Sequence, residues 1–363
     1  TGLASATPAA HPARRTHRPR RSTQVLLHVL LLALLGGSVV VALALGSEPL
    51  RPTGVLDVLR ERLLHQRPGA DPVYDAIVWD LRAPRVLLSI VVGAGLAVAG
   101  AAMQTLVRNP LADPYLLGVS AGAGVGATAV IAFGVLGSLG AWALSAGALA
   151  GALTASVLVF GVSLAQGGLT PLRLVLTGVV MSSAFSSLSS FMVFLGNESR
   201  ATESVLFWLL GSLAGATWTQ LLPPVLAVVV ATTVVLGLHG WLDALVTGDD
   251  TAASVGVPVR TLRVGLFVLT SALVGVLVAV SGGIGFVGLV VPHLARLVVG
   301  GAHRAMVPLA ALAGGLFLLW VDVAARTLVS PQEIPLSVVT GLVGAPVFLL
   351  LLGRRQYRFG GEE

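Results

Sequence analysis

The sequence predicts an all-α, polytopic membrane protein with about ten transmembrane helices. Composition is the first sign. Of 363 residues, 55% are hydrophobic and 10% charged, against about 25% charged in a soluble domain. The second sign is that the charges are missing in blocks. After Asp113 no charged residue occurs until Arg173, and residues 174–197, 204–242, 264–295, 305–321 and 334–353 are equally free of them. A helix needs about 20 apolar residues to cross a bilayer, so each block holds one or two crossings.

The elements follow in order. Residues 1–24 are polar and carry Arg14, Arg15, Arg18, Arg20 and Arg21. Rich in Pro, Ala and Arg, they are expected to form a disordered basic tail on the cytoplasmic side. The apolar stretch 25–46 reads as a retained first helix, because a signal peptide has a shorter apolar core and a small-residue cleavage site. Further spans are expected over 86–106, 115–134, 140–165, 172–196, 220–239, 262–282, 285–299, 306–325 and 335–352. The eighth, 285–299, is short, and is expected to be half-inserted or packed wholly against protein. Residues 25–353 thus form the membrane domain, followed by a cytoplasmic tail over 354–363. With the first tail inside, both ends are cytoplasmic, and inner segments hold fourteen arginines against eight outside, as the positive-inside rule requires.

The formal charge is +6, and all 22 basic residues are Arg. They sit mainly at the ends of apolar blocks, so they read as topology signals and not as a nucleic-acid surface. The absence of Cys excludes disulfides and thiolate metal sites, and no metal site or resident cofactor is expected. The absence of Lys excludes a phosphate-binding loop, so the chain is not expected to hydrolyse ATP. Glycines recur every four residues at Gly118, Gly122 and Gly126, and at Gly147 and Gly151, a spacing that brings helices close in lipid.

Five polar segments interrupt the apolar pattern. Arg82-Ala-Pro-Arg85 opens the second span with two outward cations, suited to anchoring at the interface. Asn109 and Pro110 begin a turn in which Asn109 and Asp113 are expected to cap the backbone. The longest inner loop, about 240–262, is expected to fold as two short helices broken at Gly248 and Gly256, the second capped by Asp249 or Asp250; a structured loop of this kind suits docking of a partner. Pro292, His293 and Arg296 form a polar turn near the inner end of the eighth span, suited to a structural or hinge role more than to proton transfer. Asp322 and Arg326 make an i,i+4 ion pair, and Asp322 is the only acid within an expected span.

Taken together, the segments resemble FecCD-type ABC importer permeases, a family serving iron-siderophores, haem and cobalamin. The resemblance is carried by Arg82-x-Pro-Arg85, by Gly93 to Gln104, by Arg108-Asn-Pro-Leu-Ala-Asp-Pro-Tyr, by Gly285 to Arg296, by Asp322-Val-Ala-Ala-Arg326 and by Glu333 to Pro346. It implies a type II importer permease of ten helices. Its partners would be a second permease (a homodimer or heterodimer), two ATPase subunits that hold ATP and Mg, and an extracytoplasmic substrate-binding protein, all at the inner cell membrane. Arg82, Arg85 and Arg326 match the family's outer docking arginines. Asp243, Asp249, Asp250, Ala252, Gly256 and Val257 fall in its ATPase-coupling segment. The family's pathway helix corresponds to the fifth span, where Thr177, Met181, Ser182, Ser186 and Ser189 form a stripe at roughly helical spacing. Asn109, Pro110, Pro292, His293 and Arg296 are the expected gating or structural positions. An iron-siderophore is the first expectation for cargo, then haem and cobalamin. An ion-coupled secondary transporter would need acids at mid-membrane; an intramembrane enzyme would need a linked nucleophile and base, which no spacing here provides.

Overall fold

The structure is a computed structural model and describes residues 21–46, 48–65, 71–196 and 199–353. Its elements run α1 (Arg21–Ala44), α2 (Pro52–Leu64), α3 (Pro72–Asp75), a π-helical segment (Ala76–Arg82), α4 (Ala83–Leu106), α5 (Val119–Phe133), α6 (Ala143–Ala165), α7 (Pro171–Leu195) and α8 (Ser199–Leu209). After these come α9 (Trp218–Gly237), α10 (His239–Thr247), α11 (Asp249–Ser254), α12 (Val259–Ser281), α13 (Val287–Val299), α14 (His303–Thr327) and α15 (Leu336–Gly353), with no strand among the described residues. Seven described helices are long and apolar enough to cross a membrane, and α5, α13 and α15 are shorter apolar helices. These ten correspond to the ten expected spans. Helix α1 begins at Arg21, so residues 21–24 are helical and not part of a disordered tail; residues 1–20 and 354–363, the remainder of both expected tails, lie outside the described residues.

Helix α4 is the axis of the bundle. All its residues except Leu87, Ile90, Val91 and Ala94 are buried, as suits a helix that is apolar all round. Helices α9, α12, α13 and α14 pack against it, while α5 packs with α6 and α7. Small residues set these distances. A β-carbon at Gly100 would overlap the Gly288 carbonyl of α13. That carbonyl lies four residues before Pro292, whose missing N–H leaves it without its usual helical donor. The expected glycine seam is present too: Gly122 faces the Gly151 backbone, and Gly126 that of Gly147, so α5 and α6 meet backbone to backbone.

Two features differ from expectation. The second span does not open at Pro84 but continues a helix from Pro72, with π-helical turns immediately before Pro84. Proline lacks the donor of the i→i−4 ladder and its ring crowds the preceding turn; widening the helix just before it relieves both. Helices α2 and α8 were also not expected. Helix α2 mixes Arg60, Glu61 and Arg62 with buried Val55 and Val58, too polar for a span. Helix α8 is an 11-residue amphipathic piece.

Residues 282–286, between α12 and α13, are irregular, with Gly282 and Ile284 buried and the other three half-buried. The Ile284 N–H donates to the Tyr115 hydroxyl at 2.9 Å, the Gly285 N–H to Ser337 Oγ at 3.3 Å, and Ser337 Oγ to the Gly283 carbonyl at 2.7 Å. Side chains thus satisfy the non-helical backbone, the condition for such a segment inside a membrane protein.

Candidate docking, coupling and pathway sites

Helices α4 and α14 carry a polar cluster at each end. At one end, Arg85 Nε donates to Asp322 Oδ1 at 2.8 Å, and its two terminal nitrogens grip Glu333 at 2.7 and 2.9 Å. Arg326 Nε lies 3.4 Å from Asp322 Oδ2. Arg82 donates to the carbonyls of Leu43 and Ala44 at 2.8 and 2.9 Å and to that of Glu48 at 2.5 Å, while Arg326 donates to the Ala42 carbonyl at 2.9 Å. Arg82 and Arg326 therefore cover the C-terminal carbonyls of α1, groups that no helix satisfies internally and that favour a cation.

This corrects the expectation of an exposed arginine patch. Arg82, Arg85 and Arg326 are only 7%, 9% and 5% exposed, and the bonds above draw them inward. Their five-charge cluster with Asp322 and Glu333 keeps one net positive charge beneath the surface. Sequence reasoning paired Asp322 with Arg326 but missed Glu333 as the partner of Arg85, 248 residues away.

At the opposite end, Asp243 of α10 accepts from the backbone N–H of His303 at 3.0 Å and from its ring Nδ1 at 2.6 Å. One carboxylate thus caps α14 and holds the imidazole. The other ring nitrogen hydrogen-bonds Thr105 Oγ1 of α4 at 2.7 Å. Burial pushes the Asp243 carboxyl up, but the His303 ring and amide outweigh it and hold the group below the ordinary carboxylate range. His303 was not singled out from the sequence.

The rest of the loop is built as two helices broken at Gly248 and Gly256, with φ of 132° and 84°. Neither aspartate caps α11. The N-cap is Gly248, and Asp249 instead bonds Arg263 at 2.7 Å and lies 3.6 Å from Arg108. Asp250 is exposed, Ala252 and Val257 are buried, and Val246 and Val255 present large apolar side chains outward. Nearby, Asn109 Oδ1 accepts from the Leu111 N–H and Asp113 Oδ1 from the Tyr115 N–H, the expected capped turn around Pro110. Arg296 donates to Gln104 Oε1 at 3.3 Å, and Gln104 Nε2 to the Leu289 carbonyl at 3.1 Å. With buried Pro292 and His293, these bonds tie α13 to α4.

The five residues expected along a pathway separate in space. Thr177 and Ser189 of α7 are buried, and Ser189 shares a 2.8 Å hydrogen bond with Thr128 of α5. Met181 and Ser182 are partly buried, with Ser182 against Gly118. Ser186 alone of the five is exposed, and it shares its face with Ser183, Ser187 and Ser190, which the sequence reading did not select.

A bundle of long apolar helices with a structured hairpin at one end and a buried ion cluster at the other has the build of a membrane-spanning protein. The chain belongs to the FecCD transport family, whose model matches residues 31–354, and it is an ABC importer permease. It is 38% identical to the hemin transport system permease protein HmuU of Yersinia pestis, with 94% of this chain and 98% of that one covered. It is 39% identical to the cobalamin import system permease protein BtuC of Halobacterium salinarum, over 80% and 77% of the two chains. Among solved structures, an inward-facing metal-chelate type ABC transporter superposes with a TM-score of 0.79 at 33% identity, covering 91% of this chain and 100% of that one.

Proposed function

We propose that this permease passes an iron-siderophore inward across the cytoplasmic membrane, with both termini and the α10–α11 hairpin on the cytoplasmic side. Two separate ATPase subunits, holding ATP and Mg, grip the hairpin. A second permease completes the channel, and an extracytoplasmic binding protein delivers cargo to the opposite face. There Arg82, Arg85 and Arg326 act from beneath the surface, as the positive end of their network. The permease forms no bond to the cargo and hydrolyses no ATP.

The observation that carries this reading is the Asp243–His303–Thr105 chain. It fastens an exposed hairpin to the two helices at the centre of the bundle, so a push on α10 reaches α14 and α4 directly. An ion-coupled mechanism draws no support from Asp322, whose oxygens face Arg85 and Arg326. The row of exposed serines on α7 suits a water-filled space between two permeases better than lipid. Haem or cobalamin is the alternative cargo, in keeping with the two curated relatives.

The test is uptake in proteoliposomes holding the permease and its ATPase, with the cognate binding protein offered a ferric siderophore, haem or cobalamin. Uptake of the siderophore above the other two supports the cargo assignment; preference for either of the others replaces it.

A further inference from the structure

The two halves of the α10–α11 hairpin are fastened to different helices. Asp243 holds α10 to α14. Asp249 holds α11 to α12 through Arg263 at 2.7 Å, with Arg108 3.6 Å away. Between the two aspartates stands Gly248, at a φ of 132° that strains any residue with a side chain, so α10 and α11 meet at a joint. Residues 255–258 then link α11 to α12, with Gly256 at a φ of 84°. The angle that this short link leaves open is fixed by the Asp249–Arg263 pair.

Helix α12 carries this fastening across the bundle. From Arg263, 7% exposed, it runs without a proline to Ser281, eighteen residues and about 27 Å further at the helical rise. It packs against α4, α5, α6 and α9. At its far end the Ser212 N–H donates to the Ser281 carbonyl at 2.9 Å. Next along the chain, Gly282 lies so close to the Trp208 carbonyl of α8 that a β-carbon there would overlap it. Trp208 and Ser212 line a cavity of about 620 Å³ together with Ser145, Glu203, Ser204 and Val280. One wall of that cavity is therefore bound, backbone to backbone, to the end of α12. A continuous helix fastened at both ends carries a displacement from one to the other. We propose that Asp249 is a positioning residue, which through Arg263 and α12 sets how open the cavity beside α8 is. The proposal rests on the ATPase gripping the hairpin, and it gives the hairpin two outputs, α14 through Asp243 and α12 through Asp249.

Ser204 is exposed at this cavity, and in a chain without Cys the Ser204→Cys variant carries one thiol. Sealed proteoliposomes of that variant with its ATPase are loaded with ATP or left without nucleotide. The rate of labelling by an impermeant maleimide added outside is read on the permease. ATP is expected to change the rate by at least about fivefold. Asp249→Asn and Arg263→Gln should each abolish the change while ATP hydrolysis continues, and Asp249→Glu should keep it. Asp243→Asn should also keep it despite its loss of transport. Arg263→Gln decides the matter if Asp249→Asn fails to assemble with the ATPase. A change that survives Asp249→Asn or Arg263→Gln, is lost equally in Asp243→Asn, or is absent from the parent variant overturns the proposal. Cargo uptake is read in the same vesicles. Uptake that needs no ATP contradicts the proposed function, whereas ATP-driven uptake with an unchanged labelling rate contradicts only the role of Asp249.

Discussion

His303 Nδ1 donates to Asp243 Oδ1 across 2.6 Å, joining the first turn of α14 to the short helix α10. Asp322 lies nineteen residues further along α14, about 29 Å away at the helical rise. It belongs to the ion cluster that covers the end of α1. The two faces of the bundle are thus spanned by one rigid element with a polar fastening at each end, and α4 runs beside it from Thr105 to Arg85.

Loosening the first fastening is expected to uncouple the machine. Asp243→Asn should leave ATP hydrolysis by the assembled transporter near normal and lower cargo moved per ATP by about tenfold, the scale of one lost hydrogen bond to a charged group. His303→Gln should do the same, and the double variant should be no worse than either single one. Additive losses measured in proteoliposomes would show that the two residues act separately.

Acid is expected to weaken the same contact. The Asp243 carboxyl is lowered in the fold, so the unfolded chain binds more protons as pH falls and stability falls with it. This contribution is complete above about pH 4, the ordinary carboxylate value, and is lost as pH drops through the lower folded value. The melting midpoint of the wild type should therefore decline more steeply below pH 4 than that of Asp243→Asn.

The second fastening is a matter of stability. Arg85→Ala leaves Asp322 buried with a weakened set of partners and is expected to cost about 3–5 kcal/mol, read as a lower melting midpoint in detergent. Replacing the pair together, as Arg85→Met with Asp322→Leu, should recover much of that loss. If the single variant melts like the wild type, the cluster contributes nothing to the fold.

The α7 surface can be mapped cleanly because the chain has no Cys. Single cysteines at Ser183, Ser186, Ser187 and Ser190 should react with a hydrophilic maleimide in the membrane, whereas Thr177→Cys and Ser189→Cys should not. Uniform reactivity would place all six on one wetted face.

The fold was legible because charge-free blocks report spans directly: all ten expected spans, including the short eighth, correspond to helices in order. The hairpin at 239–254 was legible because Gly248 and Gly256 interrupt it where positive φ is required. Burial of the arginines was not legible. Charge at a span's edge reads the same whether a guanidinium points to water or folds back onto α1, and Glu333 and the carbonyls of Ala42, Leu43 and Ala44 are distant in sequence. His303 escaped notice for the same reason, since Thr105 is 198 residues away. The π-helical turns before Pro84 and the amphipathic α8 carry no span-length apolar signal.

The central claim is that this bundle is driven from its α10–α11 face by a separate ATPase. The direct measurement is cargo uptake in sealed proteoliposomes containing the permease with and without its ATPase, with ATP or an imposed proton gradient as the energy source. The account predicts uptake only when ATPase and ATP are both present, and its loss when Val246 and Val255 on the hairpin are changed to Asp. Uptake by the permease alone, driven by the proton gradient, would contradict it.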